Sequence, residues 1–148
     1  MGVYIKDVNG KELEFMKIAS DYDISPKLIM YTKIDDDEYR TYSDEYEKML
    51  SDVPKMKRRF YIEAIKDKIR QLHRLGIFHG DIHEENIVIR DDDVRIIDYG
   101  LSQKIEDIRQ DYLDHSMYLI SSDKGEIYPK NVEELLEFES LEVDFISK

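Results

Sequence analysis

The chain is predicted to fold as an α/β (α+β) domain, because its apolar residues follow two different periods that alternate along the sequence. Helical steps of three and four occur at Leu13, Met16 and Ala19 and again at Ile62, Ile65, Ile69 and Leu72. Between the helical stretches and beyond them stand apolar runs too short for helices, at Ile77-Phe78, Ile87-Val88-Ile89 and Val94-Arg95-Ile96-Ile97. Turn residues punctuate both kinds of segment, as at Asn9-Gly10, Pro26, Gly76 and Asp91-Asp92-Asp93.

Taken in order, Val3-Tyr4-Ile5-Lys6 reads as a short strand that stops at Asn9-Gly10. Residues 11–22 carry a second apolar stripe, Phe15, Ile18 and Tyr22, beside the first, so this helix should pack between layers. Pro26 ends it, and residues 27–31 read as a buried strand. Asp35-Asp36-Asp37-Glu38 marks a surface turn, and residues 43–50 a short acidic helix. Pro54 then opens the clearest helix, residues 54–75, and Gly76 stands where its chain must turn out of the helix. The three apolar runs follow, the last two forming a hairpin around the Asp triplet. Ile105, Ile108, Tyr112, His115 and Leu119 step by three and four and predict another helix, with His115 on its apolar side. Val132, Leu135 and Leu136 predict a short last helix in a Glu-rich frame.

No linker or repeat divides the 148 residues, so one domain over residues 1–148 is expected. Apolar residues at 41% can supply a core despite 38% charged residues. The absence of Cys excludes a disulfide scaffold, a thiol nucleophile and thiolate-held zinc. No apolar run approaches the roughly 20 residues of a membrane span, so a soluble, cytoplasmic protein without membrane contact is expected. With 22 Lys and Arg against 34 Asp and Glu, the net charge of −12 argues against direct nucleic-acid binding and for basic protein partners. The acidic residues Asp35 to Glu38 with Asp44, Glu45 and Glu47 are a candidate surface for such a partner, or a solvated face.

The chemistry-bearing residues lie at the ends of the short strands. His79-Gly80-Asp81-Ile82-His83-Glu84-Glu85-Asn86 follows the first run, and Asp98-Tyr99-Gly100 follows the third. An Asp with Asn five residues on, then a hairpin and an Asp-aromatic-Gly, resembles the catalytic loop and metal motif of the protein-kinase-like superfamily. The resemblance runs over about residues 3–120 and implies a truncated kinase-like fold. Its expected parts are a reduced N-lobe over residues 1–34 and a mainly helical C-lobe over residues 35–148. It implies a phosphotransferase of the atypical Ser/Thr protein kinase type that uses ATP and Mg²⁺ and acts on a protein hydroxyl. Asn86 and Asp98 would then be metal ligands, since Mg²⁺ takes hard oxygen donors. Asp81 would handle the proton of the attacking hydroxyl. Lys6 would hold the α and β phosphates, with Glu12 or Glu14 orienting it. Asp111 would brace the catalytic loop from the helix after the metal motif.

The sequence also departs from the family pattern. It contains no Gly-x-Gly phosphate loop and no Ala-Pro-Glu segment. Gly80 replaces the usual Arg and His83 a usual Lys, choices shared with small-molecule and atypical kinases. Two further readings follow. A pseudokinase, or kinase-mimic binding module that regulates a true kinase, would keep the fold without transfer, whereas an active enzyme could have a partner complete its nucleotide site. A binuclear metallophosphoesterase, suggested by Asp81-Ile82-His83, needs further His ligands, and only His115 follows.

Overall fold

The computed structural model describes residues 2–121 and 125–147. Strand β1 (Val3–Val8) leads through Asn9 into helix α1 (Gly10–Asp21). Asn9 caps this helix, its side-chain oxygen accepting from the Glu12 N–H at 2.8 Å. Strands β2 (Leu28–Asp35) and β3 (Glu38–Asp44) form a hairpin on the same sheet, in the order β1-β3-β2 and antiparallel throughout. The sheet thus continues past residue 34 to Asp44, and β1 and β2 are its edges.

A second sheet has the order β4-β6-β7, from β4 (Lys48–Met49), β6 (Ile87–Arg90) and β7 (Asp93–Ile96). A two-stranded pair joins β5 (Ile77–Phe78) to β8 (Gln103–Lys104). Helices α2 (Lys55–Arg58) and α3 (Ile62–Arg74) precede β5. After β8 come a 3₁₀ turn over Ile105–Asp107, helix α4 (Gln110–His115), the β9–β10 hairpin (Tyr118–Ser121, Gly125–Ile127) and helix α5 (Val132–Ile146). No helix among the described residues is long and apolar enough to cross a membrane.

The main core runs through both sheets' supporting helices. Phe15 and Ala19 of α1, Ile65, Ile69 and Leu72 of α3, Ile87, Ile89, Val94 and Ile96 of the β6–β7 hairpin and Val143 of α5 form one buried cluster. The expected Ile stripe of α3 therefore faces inward, and Ile69→Ala would leave a cavity costing about 2–5 kcal/mol. Ile96 N donates to Ile24 O at 2.8 Å, so the loop after α1 is tied directly to the hairpin that ends at Asp98.

Several elements differ from the sequence expectation. Residues 43–49 are not helical and Leu50 only opens a 3₁₀ turn (Leu50–Asp52), because Thr41 and Ser43 are the inward positions of β3 and, being small and polar, hide its period of two. β2 is exposed along nearly its whole length, since it forms a sheet edge instead of a buried strand. The helix expected over residues 54–75 breaks after Arg58. Arg58 is drawn inward to the carbonyls of Val53 and Ile146 and the Glu84 carboxylate, which turns Phe60 outward to 73% exposure. The stripe from Ile105 to Leu119 is divided among the 3₁₀ turn, α4 and β9, because Arg109 and Ser116 on either side of α4 are extended. His115 is accordingly exposed rather than in a core. The last helix is longer than expected, at 15 residues.

Candidate functional site

Lys6 is the residue around which the parts converge. It lies opposite Thr41 in the β1–β3 ladder, and the Thr41 hydroxyl donates to the Lys6 carbonyl at 2.8 Å, which fixes the backbone from which its side chain extends. Its ammonium reaches Glu12 Oε2 at 2.6 Å and Asp98 Oδ1 at 3.2 Å. Burial lowers the Lys6 pKa, but the hydrogen bond and charge of Glu12 and the charge of Asp98 outweigh it and leave the pKa above the ordinary lysine value. The choice left open between Glu12 and Glu14 is decided by position: Glu12 is buried on the inner face of α1, and Glu14 lies on the outside, 3.7 Å from Lys104.

The Asp98 backbone adopts φ +65°, and Gly100 N–H donates to its Oδ1 at 3.2 Å. Burial raises the carboxyl pKa, yet the Gly100 N–H and the Lys6 ammonium more than offset this and hold it below the usual carboxylate value. Asp98 is therefore an anion at neutral pH with Oδ2 outside every hydrogen bond of the described residues.

The loop from His79 to Asn86 is held by its own side chains and by two distant ones. Asn86 Nδ2 donates to the Asp81 carbonyl at 2.9 Å and to Asp81 Oδ2 at 3.1 Å, which leaves Asn86 Oδ1 uncommitted. Ile97 N donates to Asn86 O at 2.9 Å, so the residue before Asp98 is pinned to Asn86. His79 is fully buried; its Nδ1 accepts from Asp81 N–H at 3.1 Å, so Nε2 carries the proton and donates to Ile97 O at 2.9 Å. Burial lowers its pKa despite the charge of Glu139 and the Ile97 bond. Gly80 has φ +88°, and a Cβ there would stand 2.5 Å from the Leu101 carbonyl oxygen. That contact explains why the usual Arg is replaced.

Sequence reading missed the two residues that brace this loop. Glu139 of α5, only 1% exposed, accepts from Gly80 N at 2.8 Å, His79 N at 3.2 Å and His73 Nε2 at 2.8 Å. The expected brace, Asp111, is instead exposed on α4, where its carbonyl accepts from His115 Nδ1 at 2.7 Å. Arg58 grips the same loop through Glu84. A detectable signal for Glu139 existed: it lies between Leu135 and Val143 at intervals of four on a stripe whose other members are fully buried.

A cleft of about 260 Å³ lies between the two sheets, bounded by Lys6, Glu12, Met16, Val88, Ile97 and Asp98 and by the 44–49 linker. Asp44, Glu45 and Glu47 of the acidic segment line it, and so does a second cation, Lys48. Asn86 Oδ1 and Asp98 Oδ2 are the hard oxygen donors that Mg²⁺ takes. No cluster of three or more His, Cys, Asp or Glu side chains able to hold a metal occurs among the described residues, so Asp81-Ile82-His83 gains no binuclear partners. It also means that any metal at Asp98 would draw the rest of its coordination from water or a bound phosphate.

Residues 15–120 match the family model of the protein kinase domain. Over 52 residues the chain is 48% identical to a protein of Methanothermobacter thermautotrophicus named "Probable bifunctional tRNA threonylcarbamoyladenosine biosynthesis protein", covering 33% of this chain and 10% of that one. It is 35% identical over 57 residues to the RIO-type serine/threonine-protein kinase Rio1 of Haloferax volcanii, covering 38% and 20%. It is 43% identical over 49 residues to the death-associated protein kinase dapk-1 of Caenorhabditis elegans, covering 31% and 3%. The matches span a fifth or less of these relatives.

Proposed function

This chain belongs to the protein kinase domain family, and on that premise we propose that it is an ATP- and Mg²⁺-dependent phosphotransferase acting on a protein hydroxyl. The observation that carries the reading is the Lys6 ammonium held between Glu12 and Asp98, residues 6 and 92 positions away in the chain, at the mouth of the cleft. An ion pair of strand Lys with helix Glu, together with a metal-binding Asp, is the arrangement protein kinases use for phosphoryl transfer. ATP with Mg²⁺ supplies the transferable phosphoryl group.

Lys6 offers the cation that a triphosphate needs in a chain of net charge −12. Asn86 Oδ1 and Asp98 Oδ2 would hold the Mg²⁺, which would neutralise charge on the triphosphate. Asp81 keeps Oδ2 on Asn86, and its Oδ1, which has His83 Nε2 at 3.6 Å, would face the acceptor. The hydroxyl proton passes to Asp81 as the acceptor oxygen bonds the γ-phosphorus and the bridging P–O bond to ADP breaks.

One observation favours the second reading, a kinase-like binding module: Asp81 and Asn86 are not among the residues that line the cleft holding Lys6 and Asp98. Calorimetry of Mg·ATP binding to the wild type and to Asp98→Asn separates the two. The enzyme reading requires binding that depends on Mg²⁺ and is lost in the variant, followed by transfer that Asp81→Asn abolishes with binding intact. No binding at millimolar Mg·ATP leaves the binding-module reading.

A further inference from the structure

A second cavity, of about 330 Å³, opens on the other side of the catalytic loop. It shares no lining residue with the nucleotide cleft, and it reaches the loop at Gly80, Asp81 and Ile82. Any molecule seated in it presents its atoms to Asp81 without entering the nucleotide cleft. Resting on the phosphotransferase reading, this is the acceptor's side of the site.

The chemistry of its wall is uneven. Ile82, Met117, Tyr112 and Tyr118 give it an apolar and aromatic surface, His115 and Ser116 also line it, and among the described residues no Lys or Arg does. Two carboxylates of α5 complete it, Glu139 and Glu142, one helical turn apart on the same face. Their situations differ. Glu139 is saturated by His73, His79 N and Gly80 N, as the loop brace. Glu142 has no hydrogen bond or ion pair with any described residue, although it is half-buried beside Glu139. A carboxylate kept partly out of water next to a second carboxylate is unfavourable unless a cation meets it.

We propose that this cavity selects the phosphate acceptor, and that Glu142 recognises a cationic group carried close to the reacting hydroxyl. The aromatic wall suits the same cation, since Tyr112 and Tyr118 rings attract an ammonium or guanidinium. Glu142 is a specificity residue and touches no reacting atom. The cation belongs either to a Lys or Arg beside a Ser or Thr in a protein, or to a free amino alcohol. Both present a hydroxyl and a positive charge in one small group.

The test compares a Ser peptide flanked by Arg, the same peptide flanked by Glu, and ethanolamine as acceptors, with Mg·ATP hydrolysis without acceptor measured alongside. Wild type should favour one of the two cationic acceptors over the Glu peptide by about tenfold or more in kcat/KM. Which cationic acceptor it uses identifies the source. Glu142→Gln, nearly isosteric, should remove most of that preference, and Glu142→Lys should reverse it, while hydrolysis and melting temperature stay near wild type. Binding of the Ala-for-Ser versions of both peptides, read by fluorescence anisotropy, should follow the same order. Equal use of all acceptors, or a preference that Glu142→Gln leaves unchanged, overturns the assignment while the phosphotransferase reading stands. Absence of both Mg·ATP binding and transfer overturns the two together.

Discussion

The Glu139 carboxylate accepts a hydrogen bond from the Gly80 backbone N–H at 2.8 Å, joining residues 59 apart in the chain. Its other oxygen accepts from His79 N–H and His73. Two consecutive backbone donors of the catalytic loop are thus satisfied by one side chain of the last helix. The shape of the loop at Asp81 depends on a residue outside the stretch that matches the kinase domain.

Glu139→Gln tests that dependence. The amide keeps one acceptor oxygen and turns an NH₂ toward groups that can only donate, so buried donors lose their partner. The expected cost is about 2–4 kcal/mol of stability. Denaturant midpoints measure it, and amide exchange at residues 79–81 should accelerate more than at residues 65–72. Exchange that rises equally in both segments would make Glu139 an ordinary core residue.

The history of this residue shows what sequence could and could not disclose. Asp81, Asn86 and Asp98 were readable because one hairpin places them, and its pairing is local: Ile87 opposite Ile96, Arg90 opposite Asp93. The α3 stripe was readable for the same reason, as Ile65, Ile69 and Leu72 repeat within one helix. Glu139 left only its four-residue spacing with Leu135 and Val143 as a signal, since its partners are some 60 residues away and its helix is rich in Glu. β3 was misread because its inward residues, Thr41 and Ser43, are polar and are satisfied only by a neighbouring strand or a buried site.

Gly80 and Gly76 make a matched pair for the next prediction. Both have positive φ, +88° and +82°, so a Cβ strains either backbone. Only at Gly80 does the added carbon also meet a backbone carbonyl, Leu101 O at 2.5 Å; at Gly76 nothing lies within 4 Å. Gly76→Ala should cost about 1 kcal/mol, and Gly80→Ala about 2–3 kcal/mol with loss of transfer. Equal costs in a urea titration would show that the Leu101 contact relaxes freely.

Lys6→Met has a larger structural consequence than an exposed strand Lys would have. The side chain is 29% exposed and its partner Glu12 only 10%, so removing the cation leaves a nearly buried carboxylate unpaired. A loss of about 1–3 kcal/mol is expected, together with loss of Mg·ATP binding. In the double variant Lys6→Met with Glu12→Leu, most of the stability should return and the nucleotide binding should not. Calorimetry and thermal melts on the wild type and the two variants check this. Recovery of nucleotide binding in the double variant would remove Lys6 from the phosphate site.

The last prediction concerns acid. His79 is buried as the neutral tautomer with the proton on Nε2, donated to Ile97 O, and with Nδ1 accepting from Asp81 N–H. Burial holds its pKa below the ordinary histidine value. Between that lowered value and about 6.5, the unfolded chain binds a proton that the folded one refuses, so stability must fall as pH falls through this window. Above the unfolded pKa the group contributes no slope. The limit for one proton is about 1.4 kcal/mol per pH unit. Melting temperatures between pH 7.5 and 5.5 should therefore decline for the wild type and decline less for His79→Phe, which starts lower because it lacks both hydrogen bonds. The local effect is specific as well: a proton added at Nδ1 would point at the Asp81 N–H, a donor facing a donor, and would push the catalytic loop from Asn86. Amide exchange at Asp81 should then rise at pH 5.5 before the global transition. Parallel slopes for wild type and His79→Phe would assign the acid sensitivity to other groups.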